Sequence, residues 1–298
     1  MTNLGLLERL GARISFLHDK MNKQPLISVI TINYNNKEGL KKTLDSVISQ
    51  SFDDYEQIII DGASSDGSVE VIKNALANDA FASHVGYWVS EKDGGIYPAM
   101  NKGLEHANGK YFLMLNSGDF FTDDFLLENV SKRLPENPDC VVFGAVDYFD
   151  KNGYYETYSI SHNRLNEHNI CHQACFIGRK VHDEVGKYDC NYEIVADYDF
   201  LSRAYKKGIA FVHVPFVIAN CEMGGASQAR IKKSQDEFTF VRVSYFPDDK
   251  EKKKSKGAQI KSFLGFLTKL ILPGFAVLLL KAVFRLLKRL VRREKVDG

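Results

Sequence analysis

Short apolar runs alternate with segments of helical periodicity through residues 26–115, and polar, glycine-rich turns separate them. The β-branched run 26–33 and the run 55–60 predict two buried strands. Apolar residues at helical spacing over 40–50 and 69–76 predict the helices that follow them. Strands that alternate with helices through short connections indicate a parallel sheet covered on both faces.

The same pattern continues with a strand near 85–89, a helix over 97–106 and the apolar run 110–115. This last run changes abruptly to the polar turn 116–119, which ends in Asp119. A strand buried on both faces would deliver this carboxylate to the carboxyl edge of the sheet, where open α/β sheets bind ligands. Taken alone, the turn fits an ordinary β-turn equally well.

The alternation weakens after residue 119. The patterns there predict a helix at 124–134, a strand at 140–146, an antiparallel segment at 154–160, an apolar segment at 171–177, a helix at 195–207 and a strand at 210–217. Because no repeat and no clear linker precede residue 245, we predict one domain over 25–245. Residues 1–24 are expected to form a short helix and linker.

Composition narrows the function classes. The chain has 298 residues, 44% of them hydrophobic, and its 39 Lys and Arg nearly balance its 38 Asp and Glu, so nothing suggests nucleic-acid binding. Five cysteines lack the spacing of a disulfide framework, which favours reduced thiols in a cytosolic protein. Cys171 and Cys175 with His172 between them leave a metal cluster as an alternative. The N-terminus lacks the apolar region of a signal peptide.

Three strand ends of the first half finish in polar turns, at 31–33, 61–68 and 116–119. In a parallel sheet these turns share one edge, which indicates a site. None of them carries a phosphate loop or a Gly-x-Gly-x-x-Gly motif. They are rich in Asp, so an anionic ligand would need a bridging cation. This points to a nucleotide diphosphate bound with Mg²⁺ or Mn²⁺.

Four motifs occur in a characteristic order: Val-Ile-Thr-Ile-Asn-Tyr-Asn, Asp-Gly-Ala-Ser-Ser-Asp-Gly-Ser, Glu-Lys-Asp-Gly-Gly-Ile-Tyr-Pro-Ala-Met-Asn-Lys-Gly and Leu-Asn-Ser-Gly-Asp. Over about residues 26–227 the chain thus resembles the family 2 inverting glycosyltransferases, most closely their bacterial cell-surface polysaccharide branch. The resemblance implies an α/β fold of GT-A type, with a Rossmann-like, mostly parallel central sheet flanked by helices. It also implies transfer of a sugar from a nucleotide diphosphate, expected to be UDP, to an acceptor hydroxyl.

Carried over by position, the resemblance assigns two kinds of donor-site residue. Asp119 would hold the metal ion. The nucleotide-sugar donor would lie against Thr31, Asn33, Asp61, Ser64, Asp93, Asn101, Asn116 and Ser117. Two positions depart from the family pattern. Ser117 replaces the first carboxylate of the family's Asp-x-Asp, and Pro98 stands where an acidic residue is usual, in the first helical turn that tolerates proline.

The segment 193–199 resembles the region that supplies the family's general base, and Asp197 aligns with that base. An inverting displacement needs such a carboxylate to take the proton of the acceptor hydroxyl. A helix N-cap is the alternative role for Asp197, and Asp199 is expected to be structural. By the same resemblance, His172 and Gln173 lie near the acceptor, and 224–227 is a flexible loop that closes over the donor.

The end of the chain is basic and apolar. After a charged linker at 248–256, the uncharged stretch 270–280 is shorter than the roughly 20 residues that a spanning helix needs. We predict that 246–298 forms this basic linker followed by two amphipathic helices that bind anionic cytoplasmic lipid. They carry basic residues at Lys281, Arg285, Lys288, Arg289, Arg292 and Arg293. A helical hairpin packed on the domain, an oligomer interface and a re-entrant segment remain alternatives.

These patterns together predict a cytoplasmic enzyme, peripheral on the inner face of the cell membrane, that glycosylates a lipid-linked or saccharide acceptor. A nucleotidyltransferase would need a basic loop after the first strand, and Tyr34-Asn35-Asn36 does not supply one. A catalytically inactive scaffold that binds nucleotide sugars is the alternative from another class, because the carboxylate is missing at Ser117.

Overall fold

A computed structural model describes residues 24–150, 153–224 and 230–246. Its strands are β1 (Ile27–Asn33), β2 (Tyr55–Asp61), β3 (Val85–Ser90), β4 (Tyr111–Met114), β5 (Phe120–Phe121), β6 (Cys140–Asp150), β7 (Gly153–Tyr158), β8 (Cys175–Gly178) and β9 (Ala210–Glu222). Its α-helices are α1 (Lys37–Ile48), α2 (Ser68–Leu76), α3 (Asp79–Ala82), α4 (Ile96–His106), α5 (Leu126–Ser131), α6 (Arg179–Val185), α7 (Ala196–Lys206) and α8 (Ile231–Tyr245). Two 3₁₀ turns occupy His162–Arg164 and His172–Ala174.

The described strands form one sheet in the order β3-β2-β1-β4-β8-β6-β9-β5, and β7 pairs with β6. The first four strands in this order are parallel, as the alternation of strands and helices predicts. The second half is mixed, because β8 lies antiparallel between β4 and β6, and β9 runs parallel to β6. The predicted α/β fold is confirmed, with its parallel part confined mainly to the first half.

Both faces of the sheet are covered, so every residue of β1 and β2 is buried. Ile30 and Ile58 pack on one face with Met100 of α4, whereas Val29 and Ile59 belong to the cluster on the other face. Helix α4 approaches β1 closely at Gly103, where a Cβ atom would lie 2.4 Å from a methyl carbon of Ile30. The absence of a side chain at Gly103 therefore lets α4 pack closely on the middle of β1.

Helix α8 has no counterpart among the predicted elements. Of its side chains only Val241 is buried, while Ile231 and Phe240 are exposed. The helix therefore lacks the one-sided apolar pattern by which a helix is predicted from sequence. It packs on α7, where the ring of Phe238 stacks on Tyr198 with centroids 4.3 Å apart. The predicted domain therefore ends in a helix that supports α7.

The predicted N-terminal segment and the basic tail lie outside the described residues, apart from residues 24 and 246. The predicted closing loop at 224–227 lies outside them too, except for Gly224. Within the three described ranges, no helix has both the length and the apolar character to cross a bilayer.

Candidate active site

A cavity of about 1080 Å³ opens at the carboxyl edge of the sheet. It is larger than the roughly 300–1,000 Å³ typical of a site for one small ligand, so it has room for a donor and an acceptor group. Eight of the predicted site residues reach this cavity, namely Asn33, Asp93, Asn116, Ser117, Asp119, His172, Gln173 and Asp197. Both halves of the chain therefore contribute to one site.

Asp61 lies behind the cavity wall instead of in it. The carboxylate is fully buried and accepts hydrogen bonds from Asn33 Nδ2 at 2.7 Å, Ser64 Oγ at 2.6 Å and Ser90 Oγ at 2.6 Å. Burial opposes its ionisation, but these bonds outweigh that effect and lower the pKa of Asp61. Its contacts orient Asn33, which does line the cavity, whereas Asp61 itself is not part of the lining. The donor contact predicted for Asp61 stays a prediction.

Thr31, Ser64 and Asn101 also lie outside the cavity lining. Thr31 is fully buried in β1, and its hydroxyl accepts from Gln57 Nε2 at 3.0 Å. Asn101 fastens α4 to the segment before α7, because its amide donates to the Tyr188 carbonyl and accepts from the Tyr188 N–H. These three residues lie behind or beside the cavity lining, and the donor contacts predicted for them stay predictions.

Asp93 borders the cavity near Gly62. A Cβ atom at Gly62 would lie only 2.8 Å from Asp93 Oδ2, which shows how closely this side chain approaches the backbone after β2. The other oxygen of Asp93 accepts from the Gly95 N–H at 2.9 Å, just before α4 begins. The carboxylate is thus held at the start of that helix, on the side of the cavity formed by the first half of the chain.

The turn after β4 presents Asp119. Its backbone is tied to α1, because the Thr43 hydroxyl donates to the Asp119 carbonyl at 2.7 Å and accepts from the Gly118 N–H at 3.0 Å. The side chain is 7% exposed and accepts from Gln173 Nε2 at 2.8 Å. Burial raises the pKa of the Asp119 carboxyl to about 6, against the opposing effect of the Gln173 bond. A nearby cation would favour its ionised form.

Glu222 was not predicted, since nothing in its local sequence marks it. It ends β9, lines the cavity and lies beside the same turn, where a Cβ atom at Gly118 would be 3.4 Å from Glu222 Oε2. Asp119 and Glu222 are carboxylates of the kind that hard divalent cations bind together with substrate phosphates. In the described part of the chain, no group of three or more His, Cys, Asp or Glu could hold a metal by itself.

The alternative cluster of Cys171, His172 and Cys175 therefore does not form among the described residues. The thiol of the buried Cys175 donates to the Cys171 carbonyl at 3.4 Å, and His172 faces other partners.

Asp197 lies in the first turn of α7, whose N-cap is Val195, so the N-cap role belongs to its neighbour. One carboxylate oxygen accepts from the Tyr97 hydroxyl at 3.2 Å. The other contacts Asn169 Nδ2 at 2.9 Å and His172 Nδ1 at 3.1 Å. Neither Tyr97 nor Asn169 was predicted; Tyr97 stands inside the third motif, whereas no sequence signal marks Asn169.

The Asp197–His172 pair is electrostatically matched. Burial opposes ionisation of Asp197, but the hydrogen bond and positive charge of His172 outweigh it and lower the pKa of the carboxyl. Burial likewise opposes protonation of His172, and the contact with Asp197 raises the pKa of the imidazole overall. The carboxylate form of Asp197 is thus the stable one at neutral pH, as a proton acceptor requires.

Asp199, by contrast, points away from the cavity. It is 2% exposed, accepts from Arg203 Nε at 2.8 Å and from the Tyr245 hydroxyl at 3.0 Å, and so joins α7 to α8. Its position agrees with the structural role predicted for it.

Comparisons with known proteins place the chain in a family. The profile of Glycosyl transferase family 2 matches residues 28–188. An uncharacterized glycosyltransferase of Mycobacterium tuberculosis is 34% identical over 190 residues, covering 62% of this chain and 70% of its own length. A PGL/p-HBAD biosynthesis glycosyltransferase of Mycobacterium bovis is 29% identical over 216 residues, covering 70% of this chain and 82% of that protein.

Solved structures share the fold. Residues 1–349 of S. aureus TarS, in complex with UDP-GlcNAc, match with a TM-score of 0.55 and 14% identity, covering 67% of this chain and 59% of that one. A second TarS crystal structure matches 70% of this chain, but this chain spans only 38% of that TarS chain. The mannosyltransferase PcManGT from Pyrobaculum calidifontis, with GDP-Man and Mn²⁺, matches with a TM-score of 0.55 and 17% identity, covering 76% of this chain and 69% of that one. The chain therefore belongs to glycosyl transferase family 2 and is a glycosyltransferase with a fold of GT-A type.

Proposed function

We propose that this glycosyltransferase moves a sugar from a UDP-linked donor to an acceptor hydroxyl with inversion at the anomeric carbon. The observation that carries the proposal is the presence of two carboxylates, Asp119 and Asp197, in one cavity on different elements. Asp119 lies on the turn after β4, among the donor residues that the family resemblance assigns. Asp197 lies on α7, next to the predicted acceptor residues His172 and Gln173.

In the proposed reaction, the acceptor oxygen attacks the anomeric carbon while Asp197 takes the hydroxyl proton. A bond forms between that oxygen and the carbon. The bond between the carbon and the phosphate oxygen breaks, and its electron pair leaves with the nucleoside diphosphate. The hydrogen bonds that Asp197 accepts from Tyr97, Asn169 and His172 keep its carboxylate fixed and ionised before the transfer.

A divalent cation, Mg²⁺ or Mn²⁺, would supply charge neutralisation for the leaving diphosphate. Asp119 and Glu222 are the residues that would hold it. Two carboxylates suit a cation that is also bound by substrate phosphates. The Mn²⁺ in the PcManGT structure supports the same expectation for a shared fold.

For the acceptor we propose a lipid-linked or saccharide group used in surface-glycan synthesis. The name of the M. bovis relative, a PGL/p-HBAD biosynthesis glycosyltransferase, supports this class. So does the name of a putative teichuronic acid biosynthesis glycosyltransferase of Bacillus subtilis, 38% identical over 105 residues. We propose further that the enzyme is cytoplasmic and peripheral on the inner membrane face, held there by the basic tail, and that an oligomer could form through the same tail.

A panel of UDP- and GDP-sugars, tested with Mn²⁺ for thermal stabilisation, would identify the donor, because binding to the native state alone raises the melting temperature. The stabilising donor would then be assayed for sugar transfer and for donor hydrolysis. We expect a UDP-sugar to stabilise the protein and to be turned over. Stabilisation without turnover in either assay would instead indicate an inactive scaffold.

A further inference from the structure

We propose that the 3₁₀ turn His172–Ala174 couples the donor carboxylate to the proton acceptor. Two consecutive side chains of this turn reach in different directions, Gln173 to Asp119 and His172 to Asp197. The turn would thus set the relative positions of the two carboxylates. This inference rests on the proposed function, and it makes His172 and Gln173 positioning residues with separable effects.

The amide of Gln173 has one orientation that satisfies its neighbours. Cys171 Sγ donates to Gln173 Oε1 at 2.8 Å, which leaves Nε2 to donate to Asp119 Oδ2 at 2.8 Å. A hydrogen bond to one oxygen of a carboxylate fixes the direction in which the carboxylate faces a metal ion. Removing such a hydrogen-bond partner commonly lowers the affinity for the metal. Gln173 would therefore hold Asp119 ready for a divalent cation.

His172 holds Asp197 in position in the same way as Gln173 holds Asp119. Its Nδ1 atom contacts Asp197 Oδ2 at 3.1 Å, and its Nε2 atom contacts Asn116 Nδ2 at 3.1 Å. In the neutral imidazole, Nδ1 donates to Asp197 and Nε2 accepts from Asn116 Nδ2. In the protonated ring both nitrogens donate, and the Asn116 amide then accepts through Oδ1, an atom with no other hydrogen bond among the described residues. The imidazole thereby ties Asp197 to the turn that carries Asp119.

The backbone of this turn is firmly anchored. The Ala174 N–H donates to the Cys171 carbonyl at 3.0 Å and closes the turn. Directly afterwards β8 enters the sheet, fully buried and paired with both β4 and β6. Because β4 leads into the Asp119 turn, the carboxylate and its Gln173 partner are fixed to neighbouring strands.

Two variants of the full chain separate the two tasks. Gln173→Met keeps the side-chain length but loses both amide contacts. We expect it to weaken Mn²⁺ binding, measured by electron paramagnetic resonance in the presence of UDP, by about 10- to 100-fold. His172→Ala should leave Mn²⁺ binding unchanged and lower kcat by about 10-fold or more, with the donor KM preserved.

A conservative variant tests whether His172 acts through Asp197. In His172→Asn the amide nitrogen can take the place of Nδ1 and donate to Asp197, so kcat should recover most of what His172→Ala loses. His168→Ala is the matched control, since His168 lies on the same segment and pairs with Arg164 and Glu167. It should change neither quantity, and thermal melts would confirm that each variant folds.

The proposal is overturned if the Gln173 and His172 variants do not differ in their effects on Mn²⁺ affinity and on kcat. Equal changes of Mn²⁺ affinity in Gln173→Met and His172→Ala, or no change in either, would show that the turn does not divide the two tasks. Failure of His172→Asn to recover activity would remove the positioning role of His172. The Mn²⁺ titrations need no turnover, so their outcome is independent of whether the proposed sugar transfer is correct.

Discussion

Asn33 Nδ2 donates to the buried carboxylate of Asp61 across 2.7 Å, from the end of β1 to the end of β2. The two residues pair in register at the carboxyl edge of the parallel sheet. Asp61 is thus the centre of a hydrogen-bonded group that positions Asn33 at the cavity, while Asp61 itself is not part of the cavity lining.

We predict that Asp61→Asn destabilises the fold and weakens donor binding. The substitution leaves the hydroxyls of Ser64 and Ser90 facing a neutral amide, and hydrogen bonds to a charged group contribute about 1.5–3 kcal/mol each. A loss of about 2–3 kcal/mol in the free energy of unfolding is expected from urea denaturation. Asp66→Asn, in the same loop but solvent-exposed, is the control and should cost far less. Equal losses in both variants would contradict the assigned role of Asp61.

Asp119→Asn should stabilise the protein when a chelator keeps it free of metal. Burial raises the pKa of Asp119 from 3.8 to about 6 in the folded state. The stability linked to this group is therefore complete below the unfolded pKa of 3.8 and is lost as the pH rises through about 6. Removing the charge should raise the free energy of unfolding by on the order of 3 kcal/mol at pH 8.

Guanidinium unfolding with EDTA at pH 8 and pH 4 measures this effect. The two proteins should differ at pH 8 and converge at pH 4, where Asp119 is protonated in wild type. A variant less stable than wild type at pH 8 would show that the carboxylate does not carry the predicted burial penalty.

Asp197→Asn is expected to lower the rate of sugar transfer by about 10²-fold or more, because the amide cannot accept the proton. Donor affinity, measured by calorimetry with UDP-sugar and Mn²⁺, should be almost unchanged. Asp199→Asn should instead reduce stability, since Asp199 joins α7 to Arg203 and Tyr245. If Asp199→Asn is the inactive variant and Asp197→Asn is active, the assignment of the base is wrong.

The prediction for the basic tail concerns membrane binding. Each basic residue near anionic lipid contributes about 1 kcal/mol, so the six between Lys281 and Arg293 should shift the membrane partition strongly at low salt. A chain truncated after Asp249 should stay folded and bind donor, because every assigned site residue precedes that point. Flotation with anionic and with neutral liposomes compares the two proteins. Failure of the full chain to float with anionic liposomes would exclude the anchor.

Much of the fold could be predicted because β1, β2 and β4 are local apolar runs that end in polar turns. Residues such as Asn33 and Asp119 could be placed at one edge from that topology alone. The separation of Asp61 and Thr31 from the cavity could not be predicted, because it depends on side-chain partners such as Ser90 and Gln57 on neighbouring strands.

The second half was harder to predict for a related reason. Glu222 at the end of β9 and Asn169 in the loop before the 3₁₀ turn His172–Ala174 both reach the site, and only the tertiary packing brings them beside Asp119 and Asp197. Helix α8 is held by contacts with α7 and lacks a strong apolar pattern of its own, so its sequence gave little signal. The position of these site residues and of α8 therefore depends on contacts between distant parts of the chain, which a local sequence pattern does not reveal.

The central claim, inverting transfer, is tested most directly by the anomeric configuration of the product. The stabilising UDP-α-sugar and an acceptor would be incubated with Mn²⁺, and the new linkage assigned by the proton coupling constant of its anomeric hydrogen in NMR. Asp197→Asn serves as the control for product formed by the enzyme. A β-linked product, absent with the variant, is the predicted result, and an α-linked product would contradict the account.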